Sequence, residues 1–110
     1  MKSEIVFADR KIKKAFEKLK ISKTEDRKLY EFLLRAFEDL EKNASSGIQI
    51  QKKLIPKEYT NKYGSLDNLW KYDLPNGWRL IYTIKKDQII VLSIILEWMD
   101  HKHYERRFGY

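Results

Sequence analysis

The side chains best suited to chemistry gather in the last third of this chain, on either side of one very apolar segment. Trp70-Lys71-Tyr72 is followed by Trp78-Arg79 and Tyr82. Beyond the apolar segment lies Asp100-His101-Lys102-His103-Tyr104-Glu105-Arg106-Arg107. Both histidines of the protein, His101 and His103, fall in the second cluster. Cleaving RNA without a metal asks for this set of groups. A base takes the proton of the attacking ribose 2′-OH, an acid protonates the leaving oxygen, and cations stabilise the crowded phosphorane. Aromatic rings hold the flanking bases apart. An intervening strand could bring the two clusters onto one face.

The charge agrees with such a partner. Twenty-three Lys and Arg against 16 Asp and Glu leave a net charge of +7, a bias toward nucleic acid, an acidic protein or an anionic membrane face. The absence of cysteine excludes disulfides, thiolate metal sites and a cysteine nucleophile. Two histidines make a poor zinc site without acidic help, so neither metal nor cofactor is expected. The longest apolar run, residues 89–96, is interrupted by Ser93 and falls far short of the ~20 residues a membrane span needs. The N-terminus lacks the apolar core of a signal peptide, which points to the cytoplasm. With 43% hydrophobic and 35% charged residues in 110, the sequence reads as one globular domain over 1–110.

The elements that must position these clusters follow from periodicity. Residues 4–8 read as an opening strand. Asp9 is a natural N-cap for a helix carrying Ile12, Phe16 and Leu19 on one side. Ser22 and Glu25 have capping-box spacing for a second helix reaching Asn43, with Leu29, Phe32, Leu33, Ala36, Phe37 and Leu40 as its apolar face. Residues 43–47 form a clear break, 48–54 are ambiguous, and 56–64 read as a loop or a single helical turn. Strands are expected over 69–74, 78–84 and 88–96. Pro75-Asn76-Gly77 and Lys85-Lys86-Asp87 supply the turns between them. The last strand is apolar on both faces and so belongs inside the sheet. The resulting class is α+β, an N-terminal strand and helical hairpin packed on an antiparallel sheet.

Leu69-Trp70-Lys71-Tyr72, a turn, Gly77-Trp78-Arg79-Leu80-Ile81-Tyr82, an apolar strand and then His103-Tyr104 resemble the RelE/ParE toxin superfamily. Within it the sequence looks most like the RelE and YoeB-type mRNA interferases, with motif-level matching confined to residues 69–110. Arg79 matches the catalytic arginine of that family's "YRLVY"-like strand, and Lys71 matches a lysine one strand earlier that contacts the scissile phosphate region. His103-Tyr104 match the terminal His-Tyr pair of the YoeB type. Lys102 and Tyr104 are similar to the basic residue and catalytic tyrosine of the RelE type.

The resemblance implies a RelE-like fold and a type II toxin cleaving mRNA on the ribosome, by 2′-OH attack to give a 2′,3′-cyclic phosphate. Its partners would be a small acidic antitoxin, mRNA and the ribosome, with DNA reached only through the antitoxin complex. Two departures stand out. Asp73 occupies a position where RelE-like members carry a second lysine, and no glutamate matches the YoeB-type base. Glu58 and Asp100 are the candidates for that base, and His101 is a further catalytic candidate. Lys102, Arg106, Arg107, Lys53 and Lys57 are the candidate RNA contacts. Trp70, Trp78 and Trp98 read as packing, and the helix lysines as solvated faces that could double as ribosome or antitoxin contacts. A ParE-like gyrase poison and a non-catalytic nucleic-acid-binding relative remain alternatives.

Overall fold

The Asp9 carboxylate accepts a hydrogen bond from the Ile12 amide at 2.9 Å, closing the first strand and opening the first helix as its position suggests. The computed structural model describes residues 1–109. Its elements are β1 (Glu4–Phe7), α1 (Arg10–Ile21), α2 (Glu25–Lys42), β2 (Ile48–Gln49), α3 (Lys57–Tyr63), β3 (Trp70–Asp73), β4 (Arg79–Lys86), β5 (Val91–Met99) and α4 (His101–Phe108). Short 3-10 turns occupy Ala44–Ser46, Lys52–Leu54 and Pro75–Gly77. One five-stranded sheet runs in the order β1-β5-β4-β3-β2. The α+β class stands, but the sheet is mixed, because β1 lies parallel to β5 while the other pairs are antiparallel. No tight turn joins β1 to β5, since the helical hairpin and strands β2 to β4 lie between them, so nothing forces the pair to be antiparallel.

The hairpin of α1 and α2 covers one face of the sheet. Leu29, Leu33, Ala36, Phe37 and Leu40 bury against Leu80, Tyr82 and Ile95, with Ile12, Phe16 and Leu19 of α1 packed at the margin. Phe16 is central: its ring lies 5.4 Å from Phe7, 5.0 Å from Tyr30 and 5.2 Å from Phe37. On the opposite face, Tyr59 of α3 and Tyr104 of α4 pack with Leu69 on Ile81, Leu96 and Met99. Strands β4 and β5 are thus covered on both sides, which explains why β5 is apolar on both faces around Ser93. No helix among the described residues is long and apolar enough to cross a membrane.

Several local expectations are corrected. Lys85 and Lys86 continue β4 opposite Leu92 and Val91, so the turn moves to residues 87–90 and Ile89 is left 93% exposed. The last strand runs on to Met99 and includes Glu97. Ser22 caps no second helix: its hydroxyl donates to the Lys18 carbonyl at 2.9 Å and finishes α1. Helix α2 instead starts from Thr24 at φ 63, without a side-chain cap. Residues 48–54 split into β2 and a 3-10 turn, residues 57–63 make a two-turn helix anchored by buried Tyr59, and the tail is helical through Phe108.

The register carries one irregularity. Tyr82 pairs with Ile95 and Ile81 with Glu97, so Leu96 is an extra residue, a β-bulge. Strand pairing then places Leu96 and Glu97 together on the α3–α4 face.

The far edge of the sheet is fastened beside Lys71. The Tyr82 hydroxyl donates to the Ala44 carbonyl at 2.7 Å and accepts from the Gly47 amide at 3.1 Å. A Cβ on Gly47 would stand 2.4 Å from the Lys71 carbonyl oxygen and 2.6 Å from the Tyr82 hydroxyl. Gly47→Ala should therefore cost about 1–3 kcal/mol, read as a lowered midpoint in urea unfolding at unchanged slope. An unchanged midpoint would show that this edge yields freely.

Candidate functional site

Two paired strands and one helix build the site. Asp73 and Arg79 face each other across β3 and β4, and Lys71 lies two residues before Asp73 on the same face. The turn that joins these strands uses left-handed conformations at Asn76 (φ 62) and Gly77 (φ 80). A Cβ on Gly77 would lie 3.3 Å from the Cβ of His101, so the turn abuts the start of α4. Asp100 caps α4, its Oδ1 accepting from the His103 amide at 2.9 Å.

Asp73 is the electrostatic centre. Its Oδ1 lies 3.1 Å from Lys71 Nζ and 3.0 Å from Arg79 Nε. The second contact is Coulombic rather than a hydrogen bond, since the buried Arg79 N–H does not align with an acceptor. Both cations are mostly buried, with side chains 19% and 17% exposed, so a nearby carboxylate offsets much of their desolvation. The buried Tyr104 ring lies beneath them: Lys71 Nζ is 5.3 Å and Arg79 Cζ 5.6 Å from its centroid, within cation–π range. Phe108 stacks on the same ring at 4.5 Å.

The two histidines separate. His101 Nδ1 lies 3.4 Å from an Arg79 terminal nitrogen, and its Nε2 lies 2.6 Å from Glu105 Oε1. His103 instead pairs with Asp100, Nδ1 to Oδ1 at 2.7 Å, at the outer surface of α4. The structure therefore brings Lys71, Arg79, His101 and Tyr104 together, and ties His103 to the helix cap. His101 and Tyr104 are three residues apart, hence on one side of a helix, and His103 points away.

The remaining candidates lie elsewhere. Arg107 donates to Glu97 at 2.8 Å, meets Glu58 at 3.4 Å and lies over the Tyr59 ring. These neighbours hold its pKa above the ordinary value despite partial burial, whereas burial, with Glu97 nearby, pushes the Tyr59 hydroxyl far up. Glu58 and Arg107 thus pack α3, β5 and α4 together. Lys53, Lys57, Lys102 and Arg106 are exposed at the surface. A cleft of about 330 Å³ is lined by Tyr63, Leu66, Asp67, Lys85 and Ile94, among others, but by none of the four clustered side chains.

Sequence reasoning missed Asp73 as the bridge, Glu105 as the partner of His101 and Glu97 as the partner of Arg107. Glu105 had a signal: four residues after His101, it is a natural partner once the tail is helical.

Hydrogen bonding from His103, first through its backbone amide and then through its ring, holds the Asp100 carboxyl below its ordinary 3.8. A carboxylate lowered in the folded state stabilises above its unfolded pKa and is lost as pH falls through the folded one. The first turn of α4 should thus stay capped down to pH 3.8 and loosen below it. The His103 amide resonance should titrate with a midpoint under 3.8, and a midpoint at or above that value would remove the cap from this account.

A sequence model of one family, described as ParE toxin of type II toxin-antitoxin system, parDE, matches residues 7–99. The match runs from the last residue of β1 to the end of β5 and includes Lys71, Asp73 and Arg79, and it ends ahead of α4. No curated protein and no solved structure matches the chain.

Proposed function

The chain belongs to the ParE toxin family of type II toxin–antitoxin systems, a toxin with an antitoxin partner, and from that premise we propose that it acts as a metal-independent endoribonuclease on mRNA. The observation that carries the reading is the convergence of Lys71, Arg79 and His101 over or beside the Tyr104 ring. Lys71 and Arg79 supply charge for the phosphorane. Glu105 at Nε2 of His101 favours the tautomer with a bare Nδ1, which suits a base for the 2′-OH. The 2′-oxygen bonds to phosphorus as the bond to the 5′-oxygen breaks, and Tyr104 returns a proton to that oxygen. His101, rather than His103, is the histidine of this reading. The resemblance to the RelE and YoeB types supports it, with the ribosome as the setting in which mRNA is presented.

A second reading has its own observation. Asp73 offsets one of the two cations needed for phosphate, and the family description names ParE. A ParE-like gyrase poison needs no such chemistry.

Induced expression separates the two. Wild type should stop growth and leave mRNA ends carrying 2′,3′-cyclic phosphate and 5′-OH. Arg79→Ala and Tyr104→Phe should cut that cleavage by about 100-fold or more. Growth arrest with DNA breakage and intact mRNA, equal in all three proteins, would overturn the nuclease assignment in favour of the gyrase reading.

Asp73 gives an independent check. Asp73→Asn keeps its shape and removes the competing charge, so an RNA dinucleotide should bind about fivefold tighter, the equivalent of one exposed ion pair of ~1 kcal/mol. Unchanged or weaker binding in calorimetry would mean that phosphate does not enter between Lys71 and Arg79.

A further inference from the structure

Helix α1 concentrates the charge of the molecule. Arg10, Lys11, Lys13, Lys14, Lys18 and Lys20 stand against the single carboxylate of Glu17, giving this helix +5 of the chain's +7. All six cations are exposed, and among the described residues none pairs with a carboxylate. Lys71, Arg79 and Arg107, in contrast, all have acidic partners. Neighbouring α2 is net acidic, yet its ion pairs, Arg27–Glu31 and Lys28–Glu25, lie within the helix itself.

The helical period gives this charge a direction. Ile12, Phe16 and Leu19 pack toward α2 and the sheet, so Lys11, Lys14 and Lys18, flanked by Arg10, form a ridge on the solvent side, about 10 Å long, with Glu17 beside it. Lysine is a point charge without the planar fork that recognises carboxylates. The only aromatic residue of α1, Phe16, is turned inward, so no ring is offered to a base. Such a surface suits a phosphate backbone rather than bases. It also lies on the sheet face opposite the Lys71–Tyr104 cluster, out of reach of a strand bound there.

We propose that the α1 ridge is a second, sequence-independent docking surface for the phosphate backbone of double-helical RNA. The choice of RNA over DNA rests on the ribonuclease reading, whereas the ridge itself does not.

The test is fluorescence anisotropy of a labelled RNA duplex of about 20 base pairs, roughly two turns of helix, with the full-length chain across a salt series. The triple variant Lys11→Gln, Lys14→Gln, Lys18→Gln is compared with wild type, and its fold is checked by its melting curve. The variant should bind at least about tenfold more weakly, and its log–log salt slope should fall by about 2–3, near 0.9 per lost contact. Its cleavage of mRNA by extracted translating ribosomes is read separately. Equal affinity and slope in the two proteins overturn the ridge, even if Tyr104→Phe abolishes cleavage. Loss of duplex binding in the triple variant upholds the ridge even if wild type cleaves nothing. A DNA duplex bound as tightly as RNA, or poly-glutamate bound more tightly than either, overturns the assignment of RNA as the partner.

Discussion

One extra residue in β5 sets the arrangement of everything that follows it. Without the bulge at Leu96, strict alternation would place Glu97 opposite Leu80, under the helical hairpin, and Trp98 opposite Arg79. With it, Trp98 joins the aromatic packing around Phe16, and Glu97 turns to the opposite face. There Glu97 holds Arg107, and Arg107 with the Tyr104–Phe108 stack holds α4 against the sheet. Helix α4 in turn presents Tyr104 and His101 to Lys71 and Arg79. A local irregularity in one strand thereby connects the core to the cluster.

The electrostatics divide the molecule in two. On the α3–α4 face Lys71, Arg79 and Arg107 are partly buried, and each has a carboxylate close by. Burying a lone charge is expensive, so Asp73 stabilises the folded arrangement of Lys71 and Arg79 while competing with any anion that approaches them. On the hairpin face α1 keeps its cations exposed, where they cost little to leave unpaired. In the proposed reading, long-range attraction for a polyanion arises away from the cluster, and short-range chemistry belongs to it.

Family membership and the ribonuclease proposal rest on different parts of the chain. The family match covers β2 to β5 and the first three helices, with the paired cations of β3 and β4. The proton-transfer groups of the proposed reaction, His101 and Tyr104, lie on α4 beyond the matched residues. The scaffold is thus that of a toxin family, and the chemistry assigned to it depends on how α4 docks.

Much was written in the sequence because local rules suffice for it. The 3–4 spacing of Phe16 and Leu33 with their neighbours fixed the helical hairpin, Asp9 fixed where α1 begins, and an apolar run between turn residues fixed an interior strand. Residue types pointed to two basic-aromatic clusters, and the resemblance to the RelE/ParE superfamily narrowed them to Lys71, Arg79 and His103-Tyr104 as candidates. What sequence could not supply were features set by register and by competition between partners. Ile89 left the core because Lys85 and Lys86 extended β4, an outcome of strand pairing rather than of hydrophobicity. Ser22 closed the helix before it instead of opening the one after, since one hydroxyl serves one end. Which histidine joins the cluster was decided by the turn of α4, where residues 101 and 104 share a side and 103 does not. Sequence determined which groups were available; the bulge at Leu96 and the docking of α4 decided which of them meet, because contact between residues far apart in the chain is a property of packing alone.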